Sequence, residues 1–115
     1  MIRYQKDMRP EAKTNMRGGE GSVGMTALFE EHIPHLRLLS VITLEPGCSI
    51  GRHPHEAEAE VYYALEGEAT VLDNGAYVTL TPGDAHLCRS GEDHELRNNG
   101  TTTMRILAII PTLAE

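Results

Sequence analysis

From residue 25 onward, apolar and polar positions alternate in short runs that are separated by turn-forming residues. In the run at residues 36–44, alternate side chains share one face of a predicted strand: Leu36, Leu38, Ser40, Ile42 and Leu44. Turn signals recur at intervals of about 8–12 residues and divide this part of the chain into about nine strand candidates. No segment shows the 3.6-residue apolar stripe of a long helix. The pattern therefore predicts an all-β sandwich or barrel with little helix.

Three of the turn signals are specific dipeptides. Asn74-Gly75 lies between two strand candidates and predicts a tight hairpin, because both residues accept positive φ angles. Pro82-Gly83 and Asn99-Gly100 predict two further turns. A shorter strand candidate is the segment MTALFEE at residues 25–31. The chain contains no internal repeat, which favours one barrel over two.

The first 22 residues form a different kind of segment. They are polar, become glycine-rich towards residue 22, and have neither helical nor alternating periodicity. We expect residues 1–22 to form an N-terminal arm and residues 23–115 to form a single β-barrel domain. The arm has two interpretations, which are an ordered segment with one edge strand and a frayed tail.

Composition and charge exclude several function classes. A chain of 115 residues suits one domain with a modest core. The net charge of −7 disfavours a nucleic-acid partner, which requires a basic face. Neither an apolar run of membrane-spanning length nor an apolar signal-peptide core occurs, so we expect a cytoplasmic protein without a membrane partner. Cys48 and Cys88 make no disulfide framework, and we interpret them as buried apolar fillers.

The segment GCSIGRHPHEAEAEVYYALEG at residues 47–67 contains the strongest chemical signal. His53 and His55 are two positions apart, so on a strand both imidazoles point to the same face. Glu60 follows after enough residues to turn a corner and begin the next strand, and His94 arrives from a strand distant in sequence. Histidines two apart also occur on solvated strand edges. The addition of Glu60 and His94 favours a site for one divalent transition-metal ion: manganese, iron, nickel, copper or zinc.

Two sequence motifs resemble those of the cupin superfamily. The first motif is matched by Gly47, His53, His55, Glu60 and Gly67. The second motif is matched by Gly83, Gly91, His94 and Asn98, with Arg89 at a position where the family has proline. The resemblance covers residues 36–110. It implies a double-stranded β-helix, or jelly-roll, barrel and a metal site made by His53, His55, Glu60 and His94. In small cupins such N-terminal arms often cross to a second subunit, so the resemblance also implies a homodimer.

Three further residues are candidates for contacting a substrate, and each has a simpler interpretation. Tyr62 shares a strand face with Glu60, but most tyrosines in such a position only pack in the core. His86 shares a face with Cys88 and either lines the cavity or points outward. Arg89 either meets an anionic substrate or points to solvent.

The ligand set leaves two hypotheses about function. The first is a metalloenzyme of the dioxygenase, decarboxylase, isomerase or lyase type that acts on a small, polar, oxygen-rich molecule. On a six-coordinate ion, four protein ligands leave about two positions for such a molecule or water. The second is a non-catalytic module that binds a metal or a small ligand. The motifs do not distinguish these two hypotheses.

Overall fold

The computed structural model describes residues 1–113 and contains ten strands in this part of the chain. In chain order they are β1 Pro10–Thr14, β2 Ser22–Ala27, β3 Leu36–Leu44, β4 Ser49–Pro54, β5 Glu60–Glu66, β6 Ala69–Asp73, β7 Ala76–Leu80, β8 Ala85–Cys88, β9 Asp93–Arg97 and β10 Met104–Pro111. Two single-turn 3-10 helices, Gln5–Asp7 and Met16–Gly18, lie in the arm. No helix within residues 1–113 has the length and apolar character needed to cross a bilayer.

The strands form two antiparallel sheets that face each other across the core. One sheet has six strands in the order β1-β2-β3-β10-β5-β8, and the other has four in the order β4-β9-β6-β7. In β10, alternate residues from Met104 to Ile110 are buried, and in β3 the predicted inward residues Ser40, Ile42 and Leu44 are buried. The predicted all-β jelly-roll fold is therefore confirmed.

The predicted hairpin turn is observed, whereas one predicted strand has different limits. Asn74 and Gly75 have φ angles of 48° and 83° and join β6 to β7, as predicted. The candidate strand at residues 25–31 is partly wrong, since β2 begins at Ser22 and ends at Ala27. Beyond Ala27 the chain must leave the sheet to return into β3, and it turns back at His35, whose φ is 63°.

The arm contains an ordered edge strand, so the frayed-tail interpretation does not hold. All five residues of β1 are exposed, and β1 pairs with β2 from Pro10↔Thr26 to Thr14↔Ser22. An edge strand without a buried face has no reason to alternate apolar and polar residues, which is why the sequence pattern gave no sign of it. The homodimer implied by the family resemblance stays a prediction.

The side chain of Asn98 fastens the end of β3 to the loop between β9 and β10. It is 1% exposed, and its Nδ2 donates to the carbonyls of Leu44 and Thr102 at 2.8 and 2.9 Å. Its Oδ1 accepts from the Gly100 amide at 2.9 Å. The fourth position of the second motif thus has a structural role in this chain.

We expect Asn98→Ala to lower the free energy of unfolding by about 1–3 kcal/mol, because it leaves buried carbonyls without their donors. Urea denaturation of the purified protein measures this difference. Asn99→Ala is the matched control, because Asn99 is exposed and neighbours the same turn. Equal stability of the two variants would contradict the fastening role.

Candidate metal centre

A bulge in β4 places His53 inside the barrel, and His55 follows directly after the strand. β4 pairs with β9 at Ile50↔Leu96 and again at His53↔His94, so β4 advances three residues while β9 advances two. The extra residue lets both Ile50 and His53 point inward. Arg52 points outward, and its Nε donates to Asp93 Oδ2 at 2.8 Å.

Three strands and the residue that directly follows β4 bring four donor atoms to a common point. His53 comes from β4, Glu60 opens β5 and His94 lies in β9, while His55 directly follows β4. His94 Nε2 lies 3.0 Å from both His53 Nε2 and Glu60 Oε1, and His55 Nε2 lies 3.0 Å from Glu60 Oε1. The four ligand atoms all lie within 4.8 Å of one another, and all four residues are buried. The structure thus brings together the four side chains that the motifs selected.

The tautomers of two histidines direct lone pairs at this common point. His53 Nδ1 donates to the Gly51 carbonyl at 2.7 Å, and His55 Nδ1 donates to Glu58 Oε2 at 2.6 Å. Each Nε2 is then free to offer its lone pair. Lone pairs and a carboxylate that converge in a buried space repel one another unless a cation lies between them. The donor set therefore fits a divalent transition-metal ion.

Opposing effects determine the charge of the cluster. Burial raises the pKa of Glu60, but close contacts with the imidazoles of His53, His55 and His94 outweigh it and hold the pKa far below its usual value. Burial lowers the pKa of His94 below that of an ordinary histidine. The cluster therefore contains an ionised carboxylate, and burial favours the neutral imidazole of His94 that metal binding requires.

Glu58 supports the donor residue His55, a role that was not predicted from the sequence. Besides accepting from His55, its carboxylate makes a two-point ion pair with Arg37, with both N–O distances at 2.8 Å. The hydrogen bond from Arg37 is the main cause that lowers the pKa of Glu58. The only sequence signal was its place three residues after His55. An Arg37–Glu58–His55 chain thus orients one of the four donors.

We expect Glu58→Ala to weaken metal affinity by roughly 10- to 100-fold, since it removes the acceptor that orients His55. A competition titration with Zn²⁺ and a chromophoric chelator measures this change. Glu56→Ala is the matched control, because Glu56 is an exposed acidic residue of the same loop. Unchanged affinity in Glu58→Ala would show that His55 needs no such support.

A cavity of about 160 Å³ opens beside the donor cluster. Its inner wall is formed partly by His53, His55 and Glu60, and partly by apolar side chains such as Ile42 and Ile110. The cluster can therefore be reached from one side, where a small molecule would meet any bound ion.

Among the three substrate-contact candidates, Tyr62 lies in the cavity wall. It is 1% exposed, its hydroxyl lies 3.5 Å from His94 Nε2, and its ring stacks on His94 at an interplanar angle of 6°. Burial, with the nearby charge of Glu60, raises the pKa of Tyr62 well above its usual value. The phenol therefore keeps its proton across the physiological range.

The other two candidates do not line the cavity. His86 is buried behind the cluster, where its Nε2 donates to Asp73 Oδ1 at 3.1 Å and its ring lies 5.6 Å from that of His94. Arg89 is exposed in the turn after β8, and its backbone amide donates to Glu92 Oε1 at 2.7 Å. Glu92 thus closes the turn in which arginine replaces the proline of the family motif. Of the two interpretations of Arg89, the structure shows the one in which the residue is exposed to solvent.

Neither cysteine belongs to the donor cluster, although Cys88 pairs directly with Glu60 across β5 and β8. Cys88 is 2% exposed, and burial raises its thiol pKa to about 11, which suits an unreactive filler. Cys48 is only half-buried and packs against the core. The interpretation as buried apolar fillers therefore holds for Cys88, whereas Cys48 is only partly buried.

Three cationic residues at the cavity mouth were not found from the sequence. Lys13 and Arg17 come from the arm, whose lack of periodicity concealed any structural role. Arg37 comes from β3, where strict alternation would turn it away from the interior. Ile110 pairs with Leu38 and Pro111 pairs with Leu36, so the pairing of β10 with β3 skips Arg37. This irregularity turns Arg37 towards the cavity mouth.

Comparisons with known proteins agree with the fold. A family model described as "Cupin domain" matches residues 40–110. An oxalate-binding protein of Thermotoga maritima is 41% identical over 112 residues, which cover 96% of this chain and 93% of that protein. A crystal structure from Thermotoga maritima, described as a predicted oxalate decarboxylase, superposes with a TM-score of 0.92 at 40% identity and covers 98% of this chain and 100% of its own. The polyketide cyclase RemF of Streptomyces resistomycificus superposes with a TM-score of 0.80 at 26% identity, covering 96% and 79% of the two chains.

Proposed function

The chain belongs to the cupin superfamily, and we propose that it acts through one divalent transition-metal ion that binds a small oxygen-rich anion. His53, His55, Glu60 and His94 would hold the ion. The observation that carries this proposal is the convergence of four buried donor atoms within 4.8 Å of one another beside a cavity. A bound ion would supply Lewis-acid chemistry to a ligand that reaches it from the cavity.

Size and charge support a small anion as the ligand. A cavity of about 160 Å³ is smaller than the roughly 300–1,000 Å³ of pockets for drug-sized molecules. Lys13, Arg17 and Arg37 surround its mouth, although the whole chain has a net charge of −7. A relative and a similar crystal structure, both from Thermotoga maritima, have names that refer to oxalate, which is such an anion.

A catalytic role is favoured by Tyr62. Its protonated hydroxyl faces the same cavity and is a proton donor within reach of a ligand beside the cluster. We therefore propose a metal-dependent enzyme of the decarboxylase, dioxygenase, isomerase or lyase type. In that reaction the Tyr62 hydroxyl would donate its proton, or a hydrogen bond, to the ligand.

One observation favours a non-catalytic binding module as the second candidate. Within the described residues, Glu60 is the one carboxylate that lines the cavity, and it is committed to the donor cluster. A reaction that needs a free carboxylate as acid or base would lack it. In this alternative the protein captures the anion on its metal and releases it unchanged.

The test is elemental analysis of untagged protein before and after supplementation with manganese, iron, nickel, copper and zinc salts. We expect close to one ion per chain, and calorimetry should then detect binding of oxalate to the loaded protein only. Protein that takes up none of these metals would refute the proposal. Consumption of oxalate, or of other small carboxylates, by the loaded protein and its loss in Tyr62→Phe would favour the enzyme. Binding without turnover would favour the module.

A further inference from the structure

We propose that the N-terminal arm completes the ligand site and that Arg17 binds the second acidic group of a small dianion. This inference rests on the proposed function, because the first acidic group would lie at the metal. The predicted class of ligand is a short dicarboxylate rather than a monocarboxylate.

The arm is fastened directly to the strand that carries His53. Its backbone runs so close to β4 that a Cβ atom added at Gly51 would lie 2.0 Å from the Arg17 carbonyl oxygen, and one added at Gly19 would lie 2.2 Å from the Ser49 carbonyl oxygen. Glu20 and Ser49 add two hydrogen bonds of 2.9 Å between the arm and the start of β4. Such close backbone contact leaves the arm little freedom to shift along β4.

This fastening connects the position of Arg17 to the donor cluster. The Gly51 carbonyl accepts from His53 Nδ1 at 2.7 Å, while the other side of Gly51 faces the Arg17 backbone. Arg17 also has a left-handed backbone, with φ 55° and ψ 30°, which few non-glycine residues adopt. A turn of this shape, held against β4, places the Arg17 side chain in the cavity lining.

The three cations at the mouth differ in how free they are. Arg37 is neutralised by its two-point ion pair with Glu58. Lys13 lies 3.7 Å from the Glu11 carboxylate. Within residues 1–113, Arg17 has neither a hydrogen bond nor an ion pair from its guanidinium. Arg17 is therefore the one of the three cations whose charge no neighbouring carboxylate offsets, so its guanidinium is available to a ligand.

A free guanidinium beside a metal cavity selects for two acidic groups. Guanidinium binds carboxylate through two parallel hydrogen bonds, and this geometry adds specificity to the charge attraction. A short dicarboxylate in the cavity would use one carboxylate at the metal and the other at Arg17. A monocarboxylate would gain only the first of these contacts, so the arm would discriminate between the two classes.

The experiment is a calorimetric titration of metal-loaded protein with oxalate and malonate as dianions, and with acetate as the monoanion. In Arg17→Gln we expect dianion affinity to fall by roughly 10- to 100-fold, as for the loss of hydrogen bonds to a charged group. Acetate affinity should change by less than about threefold, since that contact does not involve Arg17. A second variant, Arg17→Gly, keeps the turn because glycine adopts positive φ without strain, and it should show the same selective loss.

The control is Arg9→Gln, because Arg9 lies in the same arm and, within residues 1–113, its guanidinium donates to the Lys6 and Met8 carbonyls. It should bind both classes of anion as the unaltered protein does. The inference is overturned if the Arg17 variants lose no more dianion affinity than Arg9→Gln, or if acetate affinity falls equally. An unaltered protein that binds neither metal nor anion would instead refute the proposed function, and this inference with it.

Discussion

Replacing His94 with alanine should nearly abolish the stabilisation that a metal ion confers on this protein. A ligand at 100 times its dissociation constant stabilises a folded protein by about 2.7 kcal/mol, which corresponds to a rise in Tm of roughly 10 °C for a domain of this size. His94 is 0% exposed, and its Nε2 lies within 3.1 Å of a donor atom from each of the other three residues. Loss of this central donor should weaken binding beyond the roughly 10- to 100-fold typical of residues that only support a ligand. At the same metal concentration, little of the shift should remain.

The measurement is the difference in Tm with and without added metal, taken separately for each variant. Taking the difference within one variant removes the cost of emptying a buried position. His86→Gln is the control, because His86 is also buried and its ring lies 5.6 Å from that of His94, yet it is outside the donor cluster. We expect it to keep most of the shift. A full shift in His94→Ala, or an equal loss in His86→Gln, would contradict the four-residue site.

The second large effect is expected from the addition of a single methyl group at Gly51. The new Cβ would lie 2.0 Å from the Arg17 carbonyl oxygen and 3.0 Å from the Gly19 nitrogen, so a backbone must move. We expect Gly51→Ala to lower the free energy of unfolding by about 1–3 kcal/mol, in the range of other overpacked sites. Because the arm is displaced, dianion affinity should also fall towards that of the Arg17 variants.

Gly24→Ala is the matched control for that change. Gly24 also lies in a strand, but an added Cβ would contact Thr43 at an ordinary distance of 3.5 Å. Urea denaturation gives the stability difference, and calorimetry with oxalate gives the affinity. If Gly51→Ala matched Gly24→Ala in both measurements, the close contact between the arm and β4 would have no energetic importance.

The donor cluster was predictable from sequence because local rules determine most of it. His53 and His55 share a strand face at a spacing of two, and Glu60 starts the next strand after a short corner. The resemblance to a known family then supplied His94 from far along the chain. The sequence did not predict the bulge that directs both Ile50 and His53 inward. His53 nevertheless points into the barrel together with His55, as their spacing of two predicted.

The cavity mouth was not predictable, because long-range contacts position every cation there. Arg89 was the arginine selected by its departure from the motif, yet it lies in an exposed turn. Arg37 reaches the mouth through an irregularity of pairing in β3, and Arg17 reaches it because glycines allow two backbones to touch. Neither placement produces a periodic pattern in the sequence, because each depends on a contact with a segment that is distant along the chain.

The sequence by itself determined the all-β fold, the main turns and the residues able to hold an ion, because strand alternation and turn chemistry act over a few residues. Only the tertiary structure decided which charges surround that ion and which side chains support it. Glu58 acquired its role through Arg37, 21 residues away, and Arg17 acquired its place through Gly51. Those positions are decided when separate segments pack against one another, and the family motifs contain no information about that packing.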